Sequence, residues 1–460
     1  MFDMYLATAI IIALNPSAKH KLTATLVCSQ NLRKLEEHIL KLKDAKQEFI
    51  AELKGHPKTK KLTFLEGVAM LVGTNIGIGI LSIANTAKGA GFFPLLFWLI
   101  VGGILSTITM LYIAEATLRT KAHLQLTGLS VRYIGPVAKY LMFISVAVTA
   151  IGALIAYEAA AGKIIKEIFD IPEKWGSILF FIPASGVLWL GLKAIGRGEK
   201  QIIGIMFGIL VALVIATFFK ENLNFSNALE MHWDLVAILP IFNTVVFVYS
   251  SQYIVPEMAR GFSHQPEMLP KAIVLGNFIT FALLSLVPLS AIVLEGLENI
   301  SPVVTTSWGR AIGEWTFLIA NLFGLFAILT SYWGLGGMFI TNIADQINKD
   351  ADNNLTLRFV ILLFVAVPPL AIVLLQLIDS IDQALYWPGV VGALILSFFP
   401  ILILQNARKN GDHEAKWVCP PILTNWGAKI TIILVYLFAT LFSIAAKYGF
   451  LDKVISMLGM

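Results

Sequence analysis

The sequence predicts an all-α polytopic membrane fold of about 11 transmembrane helices. Three observations carry this: an apolar composition, a series of membrane-length apolar runs, and polar interruptions in the first and sixth of those runs. Of the 460 residues, 57% are hydrophobic and 14% are charged, whereas soluble domains carry about 25% charged residues. Mean hydropathy is +0.78. The formal charge of +5 does not point to nucleic acid, because the basic residues sit in short connections rather than on one patch. Cys28 and Cys419 are the two cysteines. Both fall on the cytoplasmic side in the topology below, so no disulfide is expected.

In chain order, residues 1–15 hold an apolar run of about ten residues, too short to span and without the basic flank of a signal peptide. Asn31 to Lys54 follows, with Leu32, Leu35, Ile39, Leu42, Phe49 and Leu53 at helical spacing. Its plainest reading is a solvated amphipathic helix; a coiled coil, a membrane-surface helix or a partner-docking arm are the alternatives. The expected organisation is a cytoplasmic arm over 1–60, a membrane domain over 61–449 and a short tail over 450–460.

A span needs roughly 20 apolar residues. Eleven are expected, at 64–87, 92–115, 137–160, 176–192, 201–219, 235–256, 270–294, 315–341, 357–378, 384–404 and 427–447. Connections after even-numbered spans are rich in Lys and Arg (Arg119, Lys121, Arg132, Arg197, Arg260, Arg408), and those after odd-numbered spans carry Glu221, Glu230, Glu295, Glu314 and Asp379. The positive-inside rule then places the N-terminus in the cytoplasm of a cell bounded by this membrane, expected to be a plasma membrane.

The first span contains LVGTNIGIGILSIANTAKGAG, interrupted by Gly73, Thr74, Asn75, Gly77 and Gly79. Unwound backbone survives in hydrocarbon only where protein buries it or where it lines a cavity. Gly73 and Gly77 also have GxxxG spacing, which fits a plain helix-packing face. The hydroxyl of Thr74 and the amide of Asn75 favour a broken helix whose facing ends present N–H and C=O groups to a zwitterion and a cation. The sixth span repeats the anomaly: LPIFNTVVFVYSSQYIVPEMARG carries Tyr249, Ser250, Ser251 and Gln252 at its middle and Pro256 below. Serine can bond its own backbone and proline removes a ladder bond, so a kink or break is expected there too. Breaks five spans apart fit two inverted repeats of five helices with the site at the midplane. In the eighth span, Thr330 and Ser331 are adjacent hydroxyls that could complete an oxygen cage for a small cation beside the first break, or simply bond their own helix.

At these residues the chain resembles a family. GTNIGIGILSIANTAKGAGFFP is similar to the first-span signature of the amino acid and auxin permeases and their hydroxy and aromatic amino acid permease relatives, in the amino acid-polyamine-organocation superfamily. The likeness continues through LPIFNTVVFVYSSQYIVPEMARGFSHQPEMLPKAIVLGN and covers roughly Lys61 to Gly449. It implies a five-plus-five, leucine-transporter-like fold that moves an amino acid by alternating access. Carried over, the backbone of Thr74, Asn75, Gly77, Ile78 and Gly79, with Gly73 at the head of the break, would hold the substrate's carboxylate and ammonium. Phe247, Tyr249 and Ser250 would come from the sixth span, and Thr330 and Ser331 would match the sodium ligands of sodium-coupled members. Some proton-coupled members use a fifth-span lysine where this chain has Met206, and some sodium-coupled ones an asparagine where it has Gly73. Coupling to Na+ or H+ is therefore open, leaning to sodium.

Enzyme chemistry has no residues to run on. His20, His38, His56, His123, His232, His264 and His413 all fall outside the apolar runs, and no His/Cys/Asp cluster has metal-ligand spacing. Glu115, Tyr157 and Glu158 are placed near span ends, at the interface. The expected partners are an amino acid, a coupling cation and the lipid bilayer, with no cofactor; nothing in the sequence signals an oligomeric state. Phe247, Tyr249, Tyr332 and Trp333 suit a neutral apolar or aromatic side chain, and small hydroxy substrates fit equally. A sensor built on a carrier-like core, or an exchanger, has the same features.

Overall fold

The computed structural model describes residues 61–122, 124–190, 199–347, 354–378 and 380–450. The expected arm over 1–60, most of the tail, and the connections carrying Lys193, Arg197 and Lys349 lie outside the described residues. What is described is helical, apart from short turns and one isolated bridge between Gly91 and Met231.

Each expected span has a helical counterpart. The first is split into α1 (Phe64–Asn75) and α2 (Ile78–Ser82); α3 (Phe92–Leu118) is the second. After a short α4 (Leu126–Tyr133) come α5 (Pro136–Phe169), α6 (Glu173–Leu190) and α7 (Glu199–Phe218), the third to fifth spans. A single turn, α8 (Ser226–Leu229), precedes the sixth, split into α9 (Leu235–Val248) and α10 (Val255–Gly261). The seventh is α11 (Met268–Glu295); a short α12 (Val304–Ile312) leads to α13 (Glu314–Gln346), α14 (Leu355–Leu374) and α15 (Ile381–Asn410), the eighth to tenth. After α16 (Pro421–Thr424), α17 (Trp426–Lys447) is the eleventh. Eight of these segments are long and apolar enough to cross a membrane unaided. The other three are the divided first span, α6 with its charged first turn, and α7, whose apolar part is Gly204–Phe218.

The packing carries the inverted repeat that the sequence itself hides. α1 lies along α11, and the halves of the sixth span lie on α3. Exchanging each span for the one five further on turns the first contact into the second. Likewise α5 packs on α6, α14 and α15, and α13 packs on α14, α6 and α7. Two such repeats give a leucine-transporter-like core with breaks at equivalent places.

Small residues set the closest approaches, as expected where lipid removes the hydrophobic drive between helices. A Cβ on Gly389 of α15 would stand 1.9 Å from the Asn243 carbonyl oxygen of α9, and one on Gly152 of α5 would stand 2.4 Å from Pro388 Cγ. Large apolar side chains such as Phe97, Ile104, Phe278 and Phe364 are left exposed on the outside, the arrangement that suits lipid rather than water.

Candidate functional site

α1 begins with a capping box, Thr63 Oγ1 accepting from Glu66 N and Glu66 Oε2 accepting from Thr63 N. It runs to Asn75, and Ile76 N still donates to Val72 O at 2.8 Å. The chain is then extended at Ile76 (φ −88°, ψ 92°) before α2 restarts after Gly77. The last carbonyls of α1 and the first N–H groups of α2 have no partners inside their own helices. The two glycines of the break serve different neighbours. A Cβ on Gly77 would stand 2.6 Å from Ser331 Oγ and 3.7 Å from the Tyr157 hydroxyl, whereas one on Gly79 would stand 2.5 Å from Val248 Cγ2. Gly77 admits the eighth and third spans, and Gly79 admits the sixth.

α9 ends at Val248. Ser250 N donates to Phe247 O at 3.1 Å and Ser251 N to Tyr249 O at 2.9 Å, a tight turn that leads through Gln252–Ile254 into α10. Pro256 occupies the first turn of α10, where a missing N–H costs nothing, so the proline is not what breaks this span. The two breaks are bonded to each other: Ser251 Oγ donates to Asn75 Oδ1. Asn75 Nδ2 in turn donates to Asn277 Oδ1 (3.3 Å) and Thr280 Oγ1 (3.2 Å) of α11.

A cavity opens between the breaks. Thr74, Asn75, Gly77, Ile78 and Gly79 line it from the first span, Phe247, Val248, Ser250, Ser251 and Tyr253 from the sixth, Thr149 and Tyr157 from the third, and Leu335 from the eighth. Most of the expected site residues therefore converge. Gly73 sits within α1 and is not part of the lining. Tyr249 points the other way: its hydroxyl and ring abut Gly103, 3.1 Å from where a Cβ would be, and its carbonyl accepts from Ser106 Oγ at 2.8 Å. Thr330 Oγ1 bonds the Phe326 and Ala327 carbonyls of its own helix, each at 3.1 Å, so of the expected hydroxyl pair Ser331 is the one set against the first break. Tyr332 and Trp333 face α6 instead, through Ser185 Oγ and the Ala184 carbonyl.

Two side chains expected at the interface are interior. Tyr157 is 3% exposed and Glu158 is fully buried, because α5 continues to Phe169 rather than ending near residue 160. Glu115 is also fully buried, and its carboxylate is saturated: Oε1 accepts from Arg119 Nε (2.9 Å) and Arg408 Nε (2.8 Å), Oε2 from Arg408 Nη2 (2.7 Å) and Cys419 N (2.9 Å). That arrangement suits a fixed clamp rather than a moving proton. Thr149, Tyr157, Val248, Ser251, Tyr253 and Leu335 are the lining residues that the sequence did not assign to the site. Their visible signals were the phenol of Tyr157 within an apolar run and the hydroxyl of Ser251 at the interrupted middle of the sixth span. The lining carries no Asp, Glu, Lys, Arg or His, and among the described residues no group of metal-ligating side chains comes together.

Comparison with known proteins agrees with this architecture. The crystal structure of MhsT in complex with L-phenylalanine superposes with a TM-score of 0.59 at 17% identity, covering 84% of this chain and 99% of that one. The nucleobase-cation-symport-1 family transporter Mhp1, with bromovinylhydantoin bound, gives 0.56 at 12% identity over 85% and 92%. At such identities the likeness concerns the fold. The tryptophan-specific transport protein of Shigella flexneri is 25% identical over 403 residues, 82% of this chain and 92% of that protein. Tyrosine-specific transport system 1 of Haemophilus influenzae is 22% identical over 409 residues, 84% of this chain and 98% of that protein. The family model of the tryptophan/tyrosine permeases matches residues 60–446. The chain is thus a membrane transport protein and not an enzyme, and it belongs to the tryptophan/tyrosine permease family.

Proposed function

We propose that this protein carries a neutral aromatic amino acid, tryptophan or tyrosine, across the plasma membrane by cation-coupled alternating access, with its N-terminus in the cytoplasm. The observation that carries the reading is the uncharged cavity between two bonded helix breaks, with Phe247, Tyr157 and Tyr253 on its walls. The helix ends at Thr74–Gly79 offer backbone groups to a carboxylate and an ammonium, and the aromatic walls offer stacking and burial to a large flat side chain. A lysine or glutamate side chain would bring a charge with no counter-charge in the lining, which is costly away from water. The relatives named for tryptophan and tyrosine transport point the same way.

Coupling rests on Na+ or H+. A sodium cage built from both eighth-span hydroxyls is weakened by Thr330 bonding its own helix, which leaves Ser331 beside the break. Uptake of radiolabelled tryptophan and tyrosine into proteoliposomes, under a sodium gradient in one set and a proton gradient in another, tests the whole reading. Accumulation against a gradient, competed by neutral aromatic amino acids and not by lysine or glutamate, is expected. Saturable binding without flux would mean a sensor, and flux only into preloaded vesicles would mean an exchanger.

A further inference from the structure

Next in sequence to the cavity-lining Tyr157 is a carboxyl with a single hydrogen-bond donor and no paired cation among the described residues. Glu158 of α5 is fully buried. Its Oε1 accepts the Tyr332 hydroxyl at 3.0 Å, and its Oε2 has no hydrogen-bond partner. Phe180 of α6 stands edge-on to the Tyr332 ring at 5.6 Å. From α6, Ser177 Oγ donates to the backbone carbonyl of Glu158, and Ser185 Oγ meets the Tyr332 hydroxyl at 3.4 Å. Three other titratable groups on helices packed against α5 have partners of their own. Arg358 Nε of α14 donates to Leu188 O at 2.7 Å; on α15, Asp382 accepts from Asn85 and Tyr386 pairs with Ser443. Among the described residues, Tyr332 alone donates to the carboxyl.

A lone carboxylate in such surroundings is far more expensive than a neutral acid, which keeps one hydrogen bond and carries no charge. The position links that charge to the cavity. One residue earlier on each of the same two helices, Tyr157 and Ser331 meet over Gly77. Two successive pairs therefore join α5 to α13, with Tyr157 and Ser331 at the cavity and Glu158 and Tyr332 behind it. A change in the charge at the rear pair bears on the packing of the front pair.

We propose that Glu158 is the proton-binding group of the transport cycle. A proton from water on one side bonds to the free carboxylate oxygen when the seam between α5 and α13 is open. The neutral acid, held by Tyr332, crosses the occluded state, and the O–H bond breaks again when water on the other side accepts the proton. This inference rests on the transport reading above and assigns its coupling ion.

The test uses the full chain in proteoliposomes, measuring tryptophan accumulation under a proton gradient and, separately, counterflow into vesicles preloaded with unlabelled tryptophan. Wild type is expected to accumulate under the proton gradient and not under sodium alone. Glu158→Gln, which keeps the shape and removes the titrating oxygen, is expected to retain counterflow while losing accumulation. Accumulation by Glu158→Gln at the wild-type level would overturn the proposal, as would wild-type accumulation driven by sodium alone. Wild type without counterflow would instead remove the transport reading, and the proposal with it. Should Glu158→Gln not insert, infrared spectra of wild type and Tyr332→Phe decide the matter. Loss of the donor to Oε1 should raise the carbonyl frequency of a protonated carboxylic acid, and identical spectra would overturn the assignment.

Discussion

Gly77 and Gly79 read as one motif in the sequence but meet different neighbours, so their substitutions fail in different ways. A methyl at 79 overlaps the Val248 side chain, with 2.5 Å to the nearest methyl. Overpacking of this kind costs about 1–3 kcal/mol. Gly79→Ala should therefore lower thermal stability in detergent, and Val248→Ala in the same chain should restore most of it; no recovery in the double variant would show that the glycine is needed for its backbone instead. At 77 the overlap is with Ser331 Oγ at 2.6 Å, beside the cavity, so transport should suffer there. The adjacent hydroxyls separate in the same manner. Thr330→Ala removes a bond to its own helix and should leave uptake and cation dependence near wild type. Ser331→Ala removes a group set against the first break and should raise the KM for substrate. Equal effects from the two alanines would contradict this division.

At the scale of helices, the two breaks form one unit because Asn75 joins them. It accepts from Ser251 and donates to Asn277 and Thr280, so the first, sixth and seventh spans meet at one side chain. Asn75→Ala removes all three of these inter-helix bonds, at a cost of about 1–2 kcal/mol in a membrane interior. A lower melting temperature together with reduced uptake is expected, while Pro256→Ala should change neither, since that proline sits where no N–H is missed. Both breaks were legible in the sequence because glycine, serine and amide side chains are conspicuous in an apolar run. Which side chains then face the cavity was not. Helical periodicity fixes direction only while a helix continues, and Tyr249 lies just past the end of α9, turned to Gly103, while Tyr253 lies in the turn and lines the cavity. Glu158 was misplaced for a reason of length. The 34 residues of α5 extend about 50 Å at 1.5 Å per residue, well beyond the roughly 30 Å of hydrocarbon, and an end set by the apolar run alone falls short of the true one.

Across the whole molecule, the positive-inside rule puts the ends of α3 and α15 and the connection into α17 on one face, and a bonded cluster holds them together there. Glu115 binds Arg119, Arg408 and the Cys419 amide, and Arg408 Nη2 also donates to the Cys419 carbonyl at 3.3 Å. Nearby, the backbone N–H of Lys121 and then Arg132 hold the Asp412 carboxyl below the usual carboxylate range. Cys419 is 1% exposed, and burial, with Glu115 adding, pushes its thiol up to about 12. Little thiolate exists at neutral pH, and the thiolate is the reactive form. In a Cys28→Ser background, Cys419 should resist a membrane-impermeant maleimide in intact membranes from either side. Arg408→Ala withdraws two donors from a buried carboxylate; breaking a buried pair costs about 3–5 kcal/mol, with the low end expected because the Arg408 side chain is 32% exposed and Arg119 remains. That loss should loosen the connection and expose the thiol. For the proposed cytoplasmic N-terminus, labelling should then appear in inside-out vesicles and stay absent in right-side-out ones. Labelling confined to right-side-out vesicles would invert the orientation of the whole chain, and labelling of the unaltered cluster would show that it is not closed in the membrane.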